Sequence, residues 1–428
     1  MDYNFWGDLH RLYFYLPELY FGMPALNAMK RNYLVLLLLS LFLLSCSGSD
    51  DGYKPIDSGT DGSGGILNLP AAPYNYSQLN LPPYFVTNDN SGVPSAVNGI
   101  DNSPVNNPVT NAGATLGRVL FYDKNLSLNR STACGSCHRA EKSFADSSPF
   151  SHGLNGGATR RNSMTLMNTR FYLRGRFFYD ERAATLEDQV IMPILDHGEM
   201  DLTLEEIVQR VMAQPYYSAL FVKAFGNSQI NNAKIAQALS QFIRSMVSFS
   251  SKYDRGRAQV ENMRDPFPNY TAEENRGKDL FLKPFSEGGV NCYACHTTEA
   301  FVSANAGPVN NGLDAVSPTG DQGAFETYGV AGMLGAYKIP TLRNIALTGP
   351  YMHDARYTTL LEVVNHYNAG VQNHPNLSPL LKGDDGLPRK LNLSESDINA
   401  LVLFLQTLSD NTVQSDPRWL DPFINQHL

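Results

Sequence analysis

Two five-residue motifs constrain this 428-residue chain more than any other feature: Cys134-Gly-Ser-Cys137-His138 and Cys292-Tyr-Ala-Cys295-His296. They take four of the five cysteines, and the fifth, Cys46, ends a hydrophobic run. No thiol is left to staple the fold, so the cysteines serve attachment chemistry. Zinc would want four ligands drawn from paired motifs, and a redox dithiol sits at a βαβ unit rather than a helical turn. Two thiols followed at once by a histidine instead suit covalent capture of haem. The thiols add to its vinyl groups and the histidine lies below the iron as proximal ligand. The chain is thus expected to carry two haems c, attached through Cys134, Cys137, Cys292 and Cys295 and ligated by His138 and His296.

The first fifty residues read as an address. Met29-Lys30-Arg31 precedes an apolar run from Tyr33 to Leu44. That run is too short for a membrane-spanning helix, which needs about 20 residues, but it fits the core of a signal peptide. Leu43-Leu44-Ser45-Cys46 resembles the bacterial lipobox, so residues 29–46 are expected to be a lipoprotein signal with Cys46 acylated. Residues 1–28, with Asp2, Asp8 and Glu18 among aromatics, make a poor signal start and are expected to be absent from the mature protein. A Gly/Ser/Asp-rich tether is expected over residues 47–73. The expected location is the bacterial periplasm or outer cell envelope, with the membrane reached through the lipid anchor only. A net charge of -8 argues against nucleic acid as a partner.

Beyond the tether one plan occurs twice: an amphipathic helix, the Cys-x-x-Cys-His motif, then loops and more helix. Leu116, Val119 and Leu120 mark a helix over 114–121, and Thr203 with Glu206 forms a capping box. The longest helix is expected from Asn231 to about Ser251, with Ile235, Leu239, Phe242, Ile243 and Met246 buried. Thr271 and Glu274 cap a helix running to Leu282, and Ser394 with Asp397 opens a last one rich in leucine. The expectation is a mainly α, loop-rich fold of two cytochrome-c-like haem domains, residues 74–265 and 266–428, with Asp254–Pro268 as linker.

From about Pro108 to Asp410 the chain resembles the bacterial di-haem cytochrome c peroxidases and the related di-haem enzymes that mature methylamine dehydrogenase. Four stretches carry the likeness: Leu116-Gly117-Arg118-Val119-Leu120-Phe121-Tyr122-Asp123, Phe178-Tyr179-Asp180-Glu181-Arg182-Ala183, Ile339-Pro340-Thr341-Leu342-Arg343-Asn344 and Pro350-Tyr351-Met352-His353-Asp354. The resemblance implies that hydrogen peroxide reacts at the first haem, where Gln189 and Glu199 match the family's distal amide and acid. A carboxylate there can carry a proton from one peroxide oxygen to the other, and an amide can steady the oxygen by hydrogen bonding. It further implies one Ca²⁺ between the haems near Asn162, Thr348 and Pro350. A small cytochrome c or copper protein would supply electrons through the second haem. The family is often dimeric, so a homodimer falls within the expectation.

The chain departs from the peroxidase pattern in three places. Where activatable relatives carry a blocking histidine stands Leu154, with His152 two residues earlier. Tyr179 replaces the tryptophan that bridges the haems, and tyrosine loses a proton when oxidised. Opposite His296, Tyr367 takes the methionine's place, as in the enzymes that mature methylamine dehydrogenase. Leu360, Val363, Val364 and Tyr367 share an apolar helical face, with Glu362 and His366 on the polar one; Met333 and Met352 are the alternative ligands. Three functions compete. The leading one is a peroxidase fed by a small redox protein. The others are a peroxide-dependent oxidase acting on a partner's Trp or Tyr residues and a pure electron-transfer cytochrome.

Overall fold

The computed structural model describes residues 65–303 and 307–424; the expected signal segment and Cys46 lie outside them. Eight helices organise these residues: α1 Asn111–Tyr122, α2 Leu204–Met212, α3 Pro215–Phe225, α4 Asn232–Arg244, α5 Lys252–Arg257, α6 Ala272–Leu282, α7 Leu360–Asn365 and α8 Glu395–Thr407. Short 3-10 and single-turn helices join them, and β-pairing among the described residues is limited to isolated bridges. The fold is mainly helical and loop-rich, as expected. No helix among the described residues is long and apolar enough to cross a membrane.

The helices begin where the sequence supplies caps. Thr110 accepts from the Gly113 N–H, Asn231 from that of Lys234 and Ser394 from that of Asp397. Thr203/Glu206 and Thr271/Glu274 form full capping boxes, satisfying first-turn N–H groups that have no partner inside the helix. The end of α4 differs from expectation. The helix stops at Arg244, seven residues early, because the next residues find other partners. The Ser245 hydroxyl turns back onto the Phe242 carbonyl at 2.6 Å, and Asn168 pairs with the backbone of Met246 and Ser248.

The helix before each Cys-x-x-Cys-His motif crosses a later helix in the same way. A Cβ on Gly117 of α1 would strike the Ala238 carbonyl and the Phe242 Cβ of α4; a Cβ on Gly277 of α6 would strike the Ala400 carbonyl and the Phe404 Cβ of α8. Each pair of backbones touches because one partner has no side chain. Around these crossings lie two cores, one with Leu116, Leu120, Ile207, Leu239 and Phe242, the other with Phe281, Tyr293, Phe301, Leu401 and Phe404. A third cluster, holding Phe85, Phe171, Tyr172, Val247, Ala300 and Val302, draws on both halves.

The expected boundaries need correction at three points. The tether ends before residue 73. Leu67 is buried and bridges to Phe423, with Asn68 N–H on the Pro422 carbonyl. Next, Asp254–Pro268 is no linker. It carries most of α5 and buries Asp254 (3% exposed), Met263 and Phe267. Asp254 pairs with Arg343 at 2.6 Å, and Arg257 with Asp89 and Glu299 at 2.6 and 2.8 Å. Its partners stand far off in sequence, beyond the reach of a local pattern. Finally, the halves interleave. Residues 85–100 pack toward the second motif, where Pro94 accepts from Tyr293 and Thr298, while Val413 and Trp419 join the first core.

Candidate active site

Each motif histidine is oriented by a backbone carbonyl. His138 Nδ1 lies 2.9 Å from the Phe144 oxygen and His296 Nδ1 lies 3.1 Å from the Pro340 oxygen. A carbonyl only accepts, so Nδ1 carries the proton in both and Nε2 keeps the lone pair a metal needs. Burial holds both imidazoles neutral, pushing His296 down to about 4. Burial also drives the thiols up, to about 12 at Cys134 and Cys292 and about 11 at Cys137. The Phe144 and Pro340 carbonyls were invisible to pattern reading, although Pro340 belongs to one of the four stretches noted above.

At the second motif the fit to haem can be tested directly. A cavity of about 260 Å³, mostly apolar, opens beside Cys292, Cys295 and His296. Close-packed interiors leave few voids larger than a water molecule, so a mostly apolar space of this size beside two thiols and a histidine fits a large apolar group such as haem. Its wall also carries Tyr367, Met352, Tyr179, Asn162, Thr348 and Pro350, residues drawn from both halves. Met333 is not among its lining residues. Asn311 donates to the Tyr367 phenol at 3.4 Å and to the Met352 sulfur at 3.7 Å. Burial pushes the Tyr367 phenol up to about 12, and a strong positive charge in the cavity would bring it down by stabilising the phenolate.

His366 corrects the helical projection. It is buried rather than on the polar side, with Nε2 on the Asn311 carbonyl at 3.1 Å and Nδ1 3.3 Å from the Tyr357 hydroxyl. The cause is a π-turn over His366–Gly370 directly after α7. One extra residue per turn swings His366 and Tyr367 inward together.

At the first motif, Tyr122 from the end of α1 lays its ring against Gly135, and its hydroxyl donates to the Trp419 carbonyl at 2.7 Å. After burial, the charge of the Glu199 carboxylate is among the smaller influences that raise both Cys134 and Cys137. Its own pKa is raised by burial and then by Asp196, with Arg182 opposing. The backbone N–H of Leu154 donates to the Glu199 carbonyl, and the Leu154 side chain is buried while His152 is exposed. Gln189 ends a single helical turn, Leu186–Gln189, capped by Thr185 and half-buried. That turn is pinned to α4 by Glu187, which pairs with Arg244 at 2.5 Å.

The model of the di-haem cytochrome c peroxidase family matches residues 111–262. Methylamine utilization protein MauG of Methylophilus methylotrophus is 30% identical over 314 residues, covering 73% of this chain and 87% of that protein. This chain belongs to the di-haem cytochrome c peroxidase family. Cytochrome c551 peroxidase of Nitrosomonas europaea is 29% identical over 297 residues, covering 69% and 79% of the two chains. Among solved structures, a MauG-like protein associated with microbial copper homeostasis superposes with a TM-score of 0.67 at 30% identity, covering 81% of this chain and 99% of that one. Membership makes the chain an oxidoreductase of the cytochrome c peroxidase type. It implies two covalently bound haems c, a peroxide substrate and a redox partner.

Proposed function

We propose that the protein reduces hydrogen peroxide to water at its first haem, with electrons passed from a small cytochrome c or copper protein through the second. The observation that carries this reading is the bond from the Leu154 N–H to the Glu199 carbonyl, which ties a half-buried acid to a loop that carries leucine rather than histidine. Haem, when bound, supplies an iron that takes up and passes on electrons one at a time. Glu199 then accepts the proton of one peroxide oxygen and delivers it to the other, which leaves as water. Gln189 donates an amide hydrogen bond that steadies the oxygen left behind. His138 and His296 would each offer Nε2 to one iron, and Tyr367, which lines the same cavity as His296, would offer that iron an oxygen donor. Asn162, Thr348 and Pro350 offer oxygen atoms of the kind Ca²⁺ takes; Asn162 commits its amide N–H to the Pro149 carbonyl, leaving its own oxygen to accept. Cys46 anchors the chain to a membrane outside the cytoplasm. Each haem has its own domain, with residues 85–100 and 411–424 exchanged between them.

A second reading draws on Tyr367. A hard oxygen donor in the second cavity favours ferric iron, which suits holding an oxidising equivalent better than receiving electrons. The enzyme would then oxidise Trp or Tyr residues of a partner protein. Rapid mixing of the oxidised enzyme with peroxide, with and without a reduced carrier, tests both readings. Fast peroxide consumption that needs the carrier supports the first, and slow modification of a protein partner supports the second. Indifference to peroxide under both conditions would leave only electron transfer.

A further inference from the structure

Outside the haem sites, the buried carboxylate of Glu181 receives two phenols, one of them partly exposed. Glu181 is 0% exposed. Its Oε1 accepts from the Tyr172 hydroxyl at 2.5 Å and Arg174 Nε at 2.9 Å; its Oε2 accepts from the Tyr328 hydroxyl at 2.7 Å and Arg174 Nη2 at 2.9 Å. Burial works to raise the Glu181 pKa, but the Arg174, Tyr172 and Tyr328 hydrogen bonds outweigh it and keep the group ionised.

The two phenols face different surroundings. Tyr172 is buried, and its ring lies 4.0 Å from the ammonium of Lys338. Lys338 lines the haem cavity and donates its backbone N–H to the carbonyl of Tyr179, which lines it too. Tyr328 is partly exposed at the other end, with the Arg176 guanidinium 5.4 Å from its ring. A phenol–carboxylate–phenol chain therefore runs from behind the cavity wall to the surface. One bidentate arginine already compensates a buried carboxylate. The two phenols add what a static ion pair does not need: a base that can take a proton from either of them.

We infer that Tyr328 is a second oxidation site, where the equivalents left by peroxide reach phenol or indole substrates through Tyr172 and Glu181. The inference rests on the peroxide reaction proposed above. Peroxide takes two electrons and two protons to become two waters, so each turnover leaves two one-electron equivalents. For each, an electron leaves Tyr172 for the cavity and its proton passes to Glu181. Tyr328 then gives Tyr172 an electron, while Glu181 returns the proton to Tyr172 and takes that of Tyr328. Finally a substrate phenol gives Tyr328 an electron and releases its own proton to solvent, and Glu181 hands the proton back to Tyr328. Two substrate phenols thus supply the electrons and protons found in two waters.

The test uses the holoenzyme, peroxide, no carrier, a nitroso spin trap and peptide mass spectrometry, with N-acetyltyrosine amide as substrate in parallel runs. The parent should carry the trap on Tyr328 and form dityrosine from the substrate. Tyr328→Phe should lose both and consume peroxide with a reduced carrier at the parental rate. Tyr172→Phe should lose the Tyr328 adduct although Tyr328 is intact, and Glu181→Gln should slow its formation roughly 10²-fold. A parent that consumes peroxide without an adduct on Tyr328 overturns this inference alone. So does an undiminished adduct in Tyr172→Phe, or equal dityrosine from parent and Tyr328→Phe. A parent that leaves peroxide untouched overturns the function proposed above as well.

Discussion

The Leu154 N–H donates to the Glu199 carbonyl at 3.1 Å, tying the loop that could carry a blocking group to the loop that carries the proposed acid. Gly153 makes the approach possible, since a Cβ there would strike the Gly198 carbonyl. The side chain at 154 is therefore held at the site, while His152, two residues away, stays in water. Leu154→His should place an imidazole where the leucine packs. Fully oxidised Leu154→His enzyme should react with peroxide more slowly than the parent in stopped flow, and its resting EPR spectrum should gain low-spin iron. An unchanged spectrum would mean that position 154 does not face the metal.

Glu199→Gln should keep both haems yet react with peroxide ~10²-fold more slowly or worse. The pH profile gives a sharper check. Only the ionised carboxyl can take peroxide's proton, and burial with Asp196 raises its pKa above the ordinary value. The parental rate should thus fall as pH drops through a point above ~4.3. The variant should show no such limb.

Tyr367→Met should raise the reduction potential of the second haem, because a soft, neutral thioether favours ferrous iron over a hard phenolate. Potentiometric titration followed by absorbance reads the shift. Tyr367→Phe should alter the ferric spectrum of that haem alone; if it stays as in the parent, Met352 on the same cavity wall becomes the candidate ligand.

Gly117→Ala and Gly277→Ala test the repeated helix crossing. Alanine gains about 1 kcal/mol in helix propensity, while forcing a methyl against a carbonyl in a packed core costs ~1–3 kcal/mol. The carbonyls of Ala238 and Ala400 belong to helices and cannot swing aside. Both variants should melt below the parent by calorimetry, whereas alanine at Gly332, where nothing lies near, should not.

Cys46→Ser should shift the protein from the membrane fraction to the soluble exported one. Retention in the membrane fraction would rule out the lipid anchor.

What was legible in the sequence was local. Thr203, Thr271 and Ser394 announce helix starts because a cap acts within three residues, and the thiols of each motif stand with their histidine in one short stretch. Partners distant in sequence were hidden. Nothing near Asp254 and Arg257 in the sequence marks them as buried, because Arg343, Asp89 and Glu299 are far away along the chain. His366 was misplaced for another reason: a projection at 100° per residue fails where the helix becomes a π-turn, and nothing in His-Tyr-Asn-Ala-Gly signals the change. Tyr367 was placed on the inward face and does line the cavity, since its apolar neighbours Leu360 and Val364 come from the regular part of α7.

The contacts of residues 411–424 also make the first motif answer to a distant part of the chain. Tyr122, the residue that lies against Gly135, is held by the Trp419 carbonyl, and Arg118 by that of Leu420. Those carbonyls stand 297 and 302 residues downstream of the side chains they hold, so damage to this stretch is felt at the helix that leads into Cys134.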